Sequence, residues 1–294
     1  MKTIRRPVFA ALRRGRQNLI AATLVGALAF AVPALFAAEA AATASPEDAA
    51  AKAQELAKKL SNPVASLISV PMQANFDDGF GADGKGSKFT LNIQPVIPIS
   101  ISEDWNIISR TILPVIYQSH IVGKSSQGGL GDILQSFFLS PQKPTAGVIW
   151  GVGPALLLPS ATRDELGGEK WAAGPTAVLL KQAHGWTFGT LAYHVWSYAG
   201  NDARADVSST YLQPFVSFTT KTATSFGLNT ETTYNWKANN DHWSVPVNFS
   251  VSQLMRIGKL PVQLQGGLGY WADSPQNGAE GFRFRFTVTF LFPK

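Results

Sequence analysis

The sequence contains no cysteine, and only 15% of its 294 residues are charged. Without cysteine the chain can form neither a disulfide framework nor a thiolate zinc site, and it has no cysteine nucleophile. A charged fraction well below the roughly 25% of ordinary globular proteins argues against a disordered or nucleic-acid-binding tail. Beyond residue 36, no apolar run reaches the roughly 18 residues that a membrane-spanning helix needs, which excludes a helical membrane protein.

The first forty residues have the three parts of a secretory signal. A basic stretch ends at Arg16, an apolar stretch covers residues 19–36, and small residues follow that allow A-x-A cleavage. An uncleaved membrane anchor is the alternative, but Pro33 interrupts the apolar stretch. Paired arginines hint at twin-arginine export, although the apolar pair that this motif requires is missing, so Sec export is favoured. We predict a cleaved signal over residues 1–40.

The positive charge of the chain is concentrated in this signal. Six of the 25 basic residues precede residue 40, against one acidic residue, so the remainder of the chain carries 19 basic and 18 acidic residues. The pI of about 9.5 therefore reflects the segment that is removed. We predict no nucleic-acid partner for the mature chain.

One helix is predicted in the mature chain, over residues 45–60. Ser45 is a suitable N-cap, and Pro46 fits the first helical position. The apolar residues of the helix form only a weak stripe. Residues 41–65 are therefore predicted to be a periplasmic or plugging helix with its linker, and a solvated spacer is the alternative.

From residue 66 onward the hydrophobic period changes from helical to two. The last stretch shows this best, because phenylalanine or valine at every second position from 282 to 292 alternates with arginine and threonine. Only a strand places alternating residues on opposite faces in this way. A β-sandwich has the same periodicity as a barrel, so the pattern alone leaves both open. Twelve strands are predicted, over residues 66–76, 88–101, 105–118, 131–139, 146–159, 171–181, 186–198, 210–219, 225–236, 243–256, 260–271 and 282–292.

The turns favour a barrel over a sandwich. Long gaps that are polar or rich in glycine alternate with short ones, so all long loops lie at one end of the sheet. Outer-membrane barrels have this asymmetry, with the short turns in the periplasm. We therefore predict an all-β fold: a transmembrane antiparallel up-and-down β-barrel of about 12 strands over residues 66–294, in the cell outer membrane. Tryptophan and tyrosine cluster near the predicted strand ends, where interfacial girdles lie; they are Trp105, Tyr117, Trp150, Trp171, Trp186, Trp196, Tyr198, Trp236, Trp243, Tyr270 and Trp271.

Prolines and glycines fit this barrel less simply. Eight prolines fall inside predicted strands, and a closed barrel has no edge that accommodates a missing N–H, so some must mark bulges, bends or strand ends. The glycine-rich stretches 79–86 and 128–131 match no phosphate-binding spacing and are predicted to be flexible loops. The prolines are Pro71, Pro95, Pro98, Pro114, Pro154, Pro175, Pro214 and Pro246.

Five segments of the sequence resemble a family of outer-membrane proteins. They are LAKKLSNPVASLISVPMQ (residues 56–73), FTLNIQPVIPIS (89–100), GGLGDI (128–133), GVGPALLLPSAT (151–162) and a closing alternating aromatic strand. Over roughly residues 50–294 the chain is similar to the transporters grouped as the MetA-pathway-of-phenol-degradation family. The resemblance implies a channel for aromatic or other apolar solutes and supplies no catalytic or ligand residues. The chain departs from the usual pattern by ending in Pro293-Lys294, where a terminal aromatic residue is common.

Few residues could carry chemistry. The histidines, His120, His184, His194 and His242, do not have the spacing of metal ligands, so neither a metal nor another cofactor is predicted. His194 is expected at the lipid face or in the aromatic girdle. Asp241 and His242 are the one pair that could belong to an outer-membrane hydrolase, but adjacent strand residues point to opposite faces. No catalytic residue and no enzyme activity are predicted; an outer-membrane hydrolase and a structural or adhesive barrel are the alternatives.

The predicted inward face is polar and sparsely charged. Arg110, Glu231, Arg283 and Arg285 are the charged residues predicted to line the lumen. Twelve strands should leave a narrow or partly blocked path, so we predict passive diffusion of small solutes with a mild preference for anions. For Arg283 and Arg285, a salt-bridge cluster near Asn75, Asp77 and Asp78 that seals the seam between the last and first strands is favoured over an anion-attracting mouth.

The predicted partners follow from the predicted location. They are outer-membrane lipid, the barrel assembly machinery and a small-molecule solute. Lipopolysaccharide is also a predicted partner, because the long gaps contain eleven acidic and six basic residues and an acidic rim can share divalent cations with it. For the charges of these loops, simple solvation is the favoured interpretation.

Overall fold

The structure is a computed structural model that describes residues 46–292. The predicted signal over residues 1–40, the Ser45 cap and the closing Pro293-Lys294 lie outside the described residues. One helix, α1, covers Pro46–Leu60. Within 46–292, no helix has both the length and the hydropathy needed to cross a membrane.

Most of the described chain is strand, and all strand pairs are antiparallel. The strand segments are β1 (Ile68–Phe80), β2 (Gly86–Ile93), β3 (Val96–Ser100), β4 (Trp105–Ser119), β5 (Ser126–Leu130), β6 (Ile133–Pro141), β7 (Val148–Leu158), β8 (Lys170–Ala183), β9 (Trp186–Gly200), β10 (Ser208–Thr219), β11 (Thr224–Thr230), β12 (Thr232–Asn235), β13 (Trp243–Ile257), β14 (Leu260–Asp273) and β15 (Gly281–Phe292).

These fifteen segments form twelve barrel strands. β2 and β3 together make the second strand, β5 and β6 the fourth, and β11 and β12 the ninth. The last strand closes on the first, because β15 pairs with β1 from Phe292 opposite Ile68 to Arg283 opposite Asp77. The predicted up-and-down barrel of twelve strands is confirmed.

The connections alternate in length as the sequence predicts. One end has turns 101–104, 142–147, 184–185, 220–223 and 258–259, and the other has loops 81–85, 120–125, 159–169, 201–207, 236–242 and 274–280. Several strands extend further toward the long-loop end than predicted. Gly79 therefore lies in β1 and residues 128–130 in β5, and the prediction that these glycines belong to flexible loops is wrong. A glycine inside a strand instead leaves room for close contact on the wall.

Side chains alternate between the outer and inner faces of the wall. In β15, Phe282, Phe284 and Phe286 point outward and are about half exposed, whereas Arg283 and Arg285 point inward and are buried. An apolar outer wall around a polar interior is the architecture of barrels of the bacterial outer membrane, and the fold indicates that location. Exposed aromatic side chains lie near both ends, with Trp171, Trp196, Tyr198, Trp236 and Trp243 toward the long loops and Trp186 toward the short turns.

The prolines lie at irregularities of the hydrogen-bond ladder, where no N–H donor is needed. This explains how a closed barrel accommodates all eight. The positions are the β2/β3 break (Pro95, with Pro71 opposite it), the part of β3 beyond its one bridge to β1 (Pro98), the β5/β6 break (Pro114), the β11/β12 break (Pro214), gaps in the β6–β7 and β8–β9 ladders (Pro154 and Pro175) and a register shift in β13 (Pro246).

The inner wall has an apolar part and a polar part. β4, β6, β8 and β9 contribute a buried apolar cluster that includes Ile108, Phe138, Val178, Leu180 and Leu191. The inner faces of β13, β14, β15 and β1 instead carry buried asparagine, glutamine, threonine and arginine. Polar chemistry in the lumen is therefore concentrated around the seam where the barrel closes.

Candidate functional site in the barrel lumen

The seam between β15 and β1 carries two buried arginines. The guanidinium of Arg283 lies 3.0 Å from the carboxylate of Asp77, its direct neighbour across the strands. Arg285 donates from Nε to Oδ1 of Asn75, also its direct neighbour, at 2.7 Å. The cross-strand ion pair that was one of the two predicted roles for these arginines is thus present.

Both guanidinium groups extend along the wall to Glu231. Arg285 donates from Nη1 and Nη2 to the two carboxylate oxygens of Glu231 at 2.8 and 2.7 Å, and Arg283 Nη1 lies 3.4 Å from Oε2. Glu231 occupies the one-residue break between β11 and β12. Asp77, Glu231, Arg283 and Arg285, here called the seam quartet, contain two positive and two negative groups. Their formal charges cancel.

Glycines in β14 make room for the seam quartet. Gly269 lies between Arg283 and Asn248 in the inner wall, and a Cβ there would be 2.5 Å from both Arg283 Cγ and Asn248 Oδ1. A Cβ at Gly267 would be 3.3 Å from Arg285 Cβ. The absence of side chains at these two positions lets the arginines cross β14 toward Glu231.

Trp271 also belongs to this group. Its Nε1 donates to Oδ1 of Asp77 at 2.9 Å, and the guanidinium carbon of Arg283 lies 5.0 Å from the ring centroid. Such a cation–π contact adds to the ion pair. The prediction that Trp271 belongs to the outer girdle is wrong, because its position in β14 points it into the lumen.

Arg110 lies in β4 and makes no salt bridge with the seam quartet, although its charge is close enough to that of Glu231 for the two to attract each other. It donates from Nη2 to Oε1 of Gln94 at 3.0 Å. Within residues 46–292 it forms no ion pair with a carboxylate. Of the four residues predicted to line the lumen, Arg110 is therefore the one whose charge is not balanced by a direct contact.

A cavity of about 200 Å³ lies beside Arg110. Val96 and Leu191 are apolar residues of its lining, and no aspartate or glutamate among residues 46–292 lines it. Two cations do, Arg110 and Lys59. The polar part of the lining is formed by Ser69, Gln73, Gln94, Gln213, Gln263, Gln265, Thr287 and Thr289.

Helix α1 occupies the short-turn mouth of the barrel. Ala57 is fully buried and packs with Leu254 and Leu291 of the inner wall. From β8, Gln182 Nε2 donates to the backbone carbonyl of Lys58 at 2.8 Å. The helix thus contacts more than one side of this mouth, which faces the periplasm in outer-membrane barrels.

The linker after α1 continues into the lumen. Val64 is 4% exposed and packs into the apolar cluster of the inner wall. Asn106 of β4 donates from Nδ2 to the hydroxyl of Ser66 at 3.0 Å, and Asn62 and Pro63 line the cavity. Residues 46–67, here called the N-terminal plug, therefore lie in the short-turn mouth and form one side of the cavity.

Asp132 holds the longest loop, residues 159–169, at the opposite mouth. Its two carboxylate oxygens accept hydrogen bonds from the backbone N–H groups of Ala161 at 3.1 Å and Gly168 at 2.7 Å. Asp132 itself lies in the break between β5 and β6. The carboxylate fixes both ends of the loop to the wall.

Gly129 and Gly131 provide the surface on which this loop packs. A Cβ at Gly129 would lie 3.2 Å from Leu166 Cδ1, and one at Gly131 would lie 3.3 Å from the Leu166 carbonyl oxygen. Leu166 is 8% exposed. The segment GGLGD is thus a packing surface followed by an anchoring carboxylate.

Charged groups join this loop to the next one. Arg204 donates to the backbone carbonyls of Asp164, at 2.8 Å, and Gly167, and lies 3.3 Å from the carboxylate of Glu169. Lys170 Nζ is 3.1 Å from Asp206 Oδ1, and this hydrogen bond holds the pKa of the Asp206 carboxyl below its usual value. These contacts tie the loops 159–169 and 201–207 to each other at the long-loop end.

The histidines are not placed as catalytic groups. His242 Nδ1 donates to the backbone carbonyl of Asn235 at 2.7 Å, and in the described chain no hydrogen bond or ion pair joins it to Asp241. His194 lies on the outer wall beside Trp196, with ring centroids 4.1 Å apart. Among residues 46–292 no group of three histidine, aspartate or glutamate side chains could hold a metal.

Two features of the barrel are missing from the sequence analysis: the passage of the arginines over Gly267 and Gly269, and the anchoring role of Asp132. Both depend on contacts between distant segments. The signals that could have indicated them are the run QLQGGLG in β14 and the run GGLGD before β6. A plugging helix is one of the roles predicted for residues 41–65, and contacts with the wall place the described part of that segment in the mouth.

Comparison with known proteins supports the fold. No family model matches the chain, and no curated protein matches it. It is similar to the crystal structure of an outer membrane channel from Pseudomonas putida F1, with a TM-score of 0.59 and 16% identity, covering 77% of this chain and 94% of that one. The fold is that of an outer-membrane barrel.

Two further solved structures share the barrel more loosely. The transport unit of the autotransporter AIDA-I from Escherichia coli has a TM-score of 0.43 and 9% identity, covering 86% of this chain and 100% of that one. Outer membrane phospholipase A from Escherichia coli has a TM-score of 0.42 and 10% identity, covering 81% and 98%.

Proposed function

We propose that the protein is an outer-membrane channel for the passive diffusion of small solutes. The observation that supports this most directly is a cavity with polar lining inside a closed barrel, next to the N-terminal plug. The resemblance of the fold to a Pseudomonas putida outer membrane channel supports the same class. Twelve strands enclose a lumen too narrow for a wide aqueous pore, which restricts the proposal to small solutes.

Aromatic or other apolar solutes are the proposed cargo. The apolar part of the inner wall, formed by residues such as Phe138 and Leu180, offers contact surface that a purely aqueous channel lacks. The sequence resemblance to the MetA-pathway-of-phenol-degradation family points to the same cargo. A solute with an apolar body and a polar group would match both parts of the inner wall.

A mild preference for anions follows from the balance of charges. The seam quartet is neutral as a group, so its arginines attract a passing anion only weakly. Arg110 adds a positive charge that no direct contact compensates, whereas Lys59 at the plug is paired with Glu55. Small anions should therefore enter the lumen more readily than cations of equal size.

We propose that the N-terminal plug closes the channel and that the channel opens by displacement of this plug. The helix buries only small and medium apolar residues against the mouth, so its removal exposes far less apolar surface than unfolding the barrel would. Lipid covers the outer wall, and lipopolysaccharide and the barrel assembly machinery are proposed as further partners. We also propose that the protein has no enzymatic activity, because His242 and Asp241 form no dyad.

Efflux from proteoliposomes tests the proposal. The mature chain, Ala57→Glu and the control Ala51→Glu are reconstituted, and release of an entrapped aromatic acid is followed. Ala57 is fully buried whereas Ala51 is exposed, so only the first substitution should dislodge the plug. We expect Ala57→Glu to raise efflux by about tenfold or more, with Ala51→Glu like the wild type. Efflux at the level of protein-free liposomes in all three would reject transport.

A further inference from the structure

We infer that the cavity beside Arg110 is a binding site for the carboxylate group of a small organic acid. The inference rests on the proposed function and deepens it, since it assigns the solute's charged group to one place in the lumen. Arg110 would bind the carboxylate, and the surrounding glutamines would bind the remaining polar atoms.

The first argument is that Arg110 differs from the other lumen arginines in its contacts. Arg283 and Arg285 direct their guanidinium groups at Asp77, Asn75 and Glu231. Arg110 makes a single side-chain hydrogen bond, to Gln94, among the described residues. A guanidinium has five N–H donors, so Arg110 retains most of its capacity to bind a carboxylate with two parallel hydrogen bonds.

The second argument is that the glutamine side chains around Arg110 are free to bind a ligand. Gln73, Gln213, Gln263 and Gln265 line the cavity, and within residues 46–292 their carboxamides form no hydrogen bond. None of these carboxamides has a buried nitrogen or oxygen atom without a partner, so their polar atoms are accessible. Four accessible amides along the lining of one cavity offer donors and acceptors to a solute.

The third argument is electrostatic. The lining contains Arg110 and Lys59 and no carboxylate of the described chain. Lys59 is paired with Glu55 at 2.8 Å on the helix surface, which leaves Arg110 as the cation of the lining that makes no salt bridge within residues 46–292. Pro63, Val96 and Leu191 line the cavity as well, and such apolar neighbours strengthen the attraction between Arg110 and an anion.

The size of the cavity restricts the ligand. About 200 Å³ holds several water molecules or one small acid. Propionate, with a carboxylate and a short apolar tail, is a suitable probe. Propionamide has nearly the same shape without the charge, so the two together separate recognition of the carboxylate from simple filling of the space.

The experiment is a titration of the refolded mature chain, in detergent, with ¹³C-labelled propionate or propionamide. Binding is measured from the width of the ¹³C NMR line of the ligand after overnight equilibration. We expect saturable broadening with propionate and at least about tenfold weaker binding of propionamide. Arg110→Gln should weaken propionate binding by a similar factor. Arg256→Gln, a change of the same type at an exposed position on the short-turn end, should leave it unchanged.

Further variants protect the conclusion against misfolding. Heat-modifiable gel migration checks that each variant forms a barrel. Arg110→Lys should retain part of the affinity, and Gln213→Leu should reduce it with Arg110 in place. Equal binding of propionate and propionamide, or full propionate affinity in a folded Arg110→Gln barrel, would overturn the inference.

This outcome is separable from that of the proposed function. Binding is measured in detergent and requires no flux across a membrane. Saturable binding without efflux from proteoliposomes would keep the site and reject the channel. Efflux without a dependence of propionate binding on Arg110 would keep the channel and reject the site.

Discussion

Arg285 and Glu231 form a two-point ion pair along the inner wall, with Nη1 and Nη2 at 2.8 and 2.7 Å from the carboxylate oxygens. The residues belong to β15 and to the break between β11 and β12, with β13 and β14 between them. The pair therefore ties the strand that closes the barrel to the interrupted ninth strand. Its role in the wall is structural.

Arg285→Ala should destabilise the barrel. The change leaves the Glu231 carboxylate buried with Arg283 alone at a longer distance, and breaking a buried ion pair costs about 3–5 kcal/mol. The measurement is the free energy of unfolding in urea of the refolded barrel in detergent. Arg256→Ala, at the exposed end of β13, is the matched control and should change it by less than about 0.5 kcal/mol.

Reversing the charges of the seam arginines should affect stability rather than ion selectivity. Arg283→Glu with Arg285→Glu should lower stability sharply by placing four carboxylates together. Arg110→Gln should instead reduce the anion preference with little loss of stability. Ion permeability ratios in planar bilayers and unfolding in urea separate the two effects. A loss of anion preference in a stable double variant would show that the seam arginines act on the solute.

Gly269→Ala should also destabilise the barrel. A Cβ at this position would lie 2.5 Å from Arg283 Cγ and Asn248 Oδ1, so the arginine must leave its path over β14. We expect a loss of about 1–3 kcal/mol, typical of overpacking. Gly266→Ala is the control, because nothing lies within 4 Å of its Cβ position. Equal stability of the two variants would contradict the proposed path.

Asp132→Ala should release the loop of residues 159–169. Two backbone N–H groups lose their acceptor, and each such buried hydrogen bond contributes about 0.5–1.5 kcal/mol. Limited proteolysis of the barrel in detergent should cut within this loop more rapidly than in the wild type. Glu165→Ala, an exposed change in the same loop, serves as control, and identical cleavage rates in both variants would argue against the anchor.

His242→Ala and Asp241→Asn should leave the transport and binding properties of the barrel unchanged. His242 binds a backbone carbonyl rather than a carboxylate, so no activated nucleophile is expected near it. Purified refolded barrel is assayed on phospholipid and peptide substrates. Turnover that His242→Ala abolishes would instead support the hydrolase alternative.

The barrel is predictable from the sequence because strands and turns are specified by local patterns. The alternation of side chains along β15 is visible in the residues from Phe282 to Phe292, and the lengths of the turns are given by the spacing of such stretches. Because side chains alternate along a strand with a period of two, the pattern alone predicts that Arg283 points inward and Phe284 outward. The predicted pairing of Arg283 with Asp77 needs one further step, the closure of the last strand on the first.

The remainder depends on register and on contacts between distant segments. That Arg285 reaches Glu231 requires Gly267 to lie between them in β14, which no local pattern specifies. Trp271 is a tryptophan near a strand end, as girdle residues are. Its position in β14 nevertheless points it into the lumen, where it contacts Asp77. Gly129 and Gly131 lie in a glycine-rich stretch of the kind that is typical of loops. This segment nevertheless belongs to the wall, where Leu166 packs on it. The position of α1 in the mouth likewise follows from tertiary packing.

Single-channel recording of Ala57→Glu in a planar bilayer tests the central claim most directly, that the barrel encloses a solute path closed by its N-terminal plug. The account predicts rare or absent conductance steps for the wild type and for Ala51→Glu, and frequent small steps for Ala57→Glu. Folded Ala57→Glu barrels that insert into the bilayer and conduct no more than the wild type would contradict it.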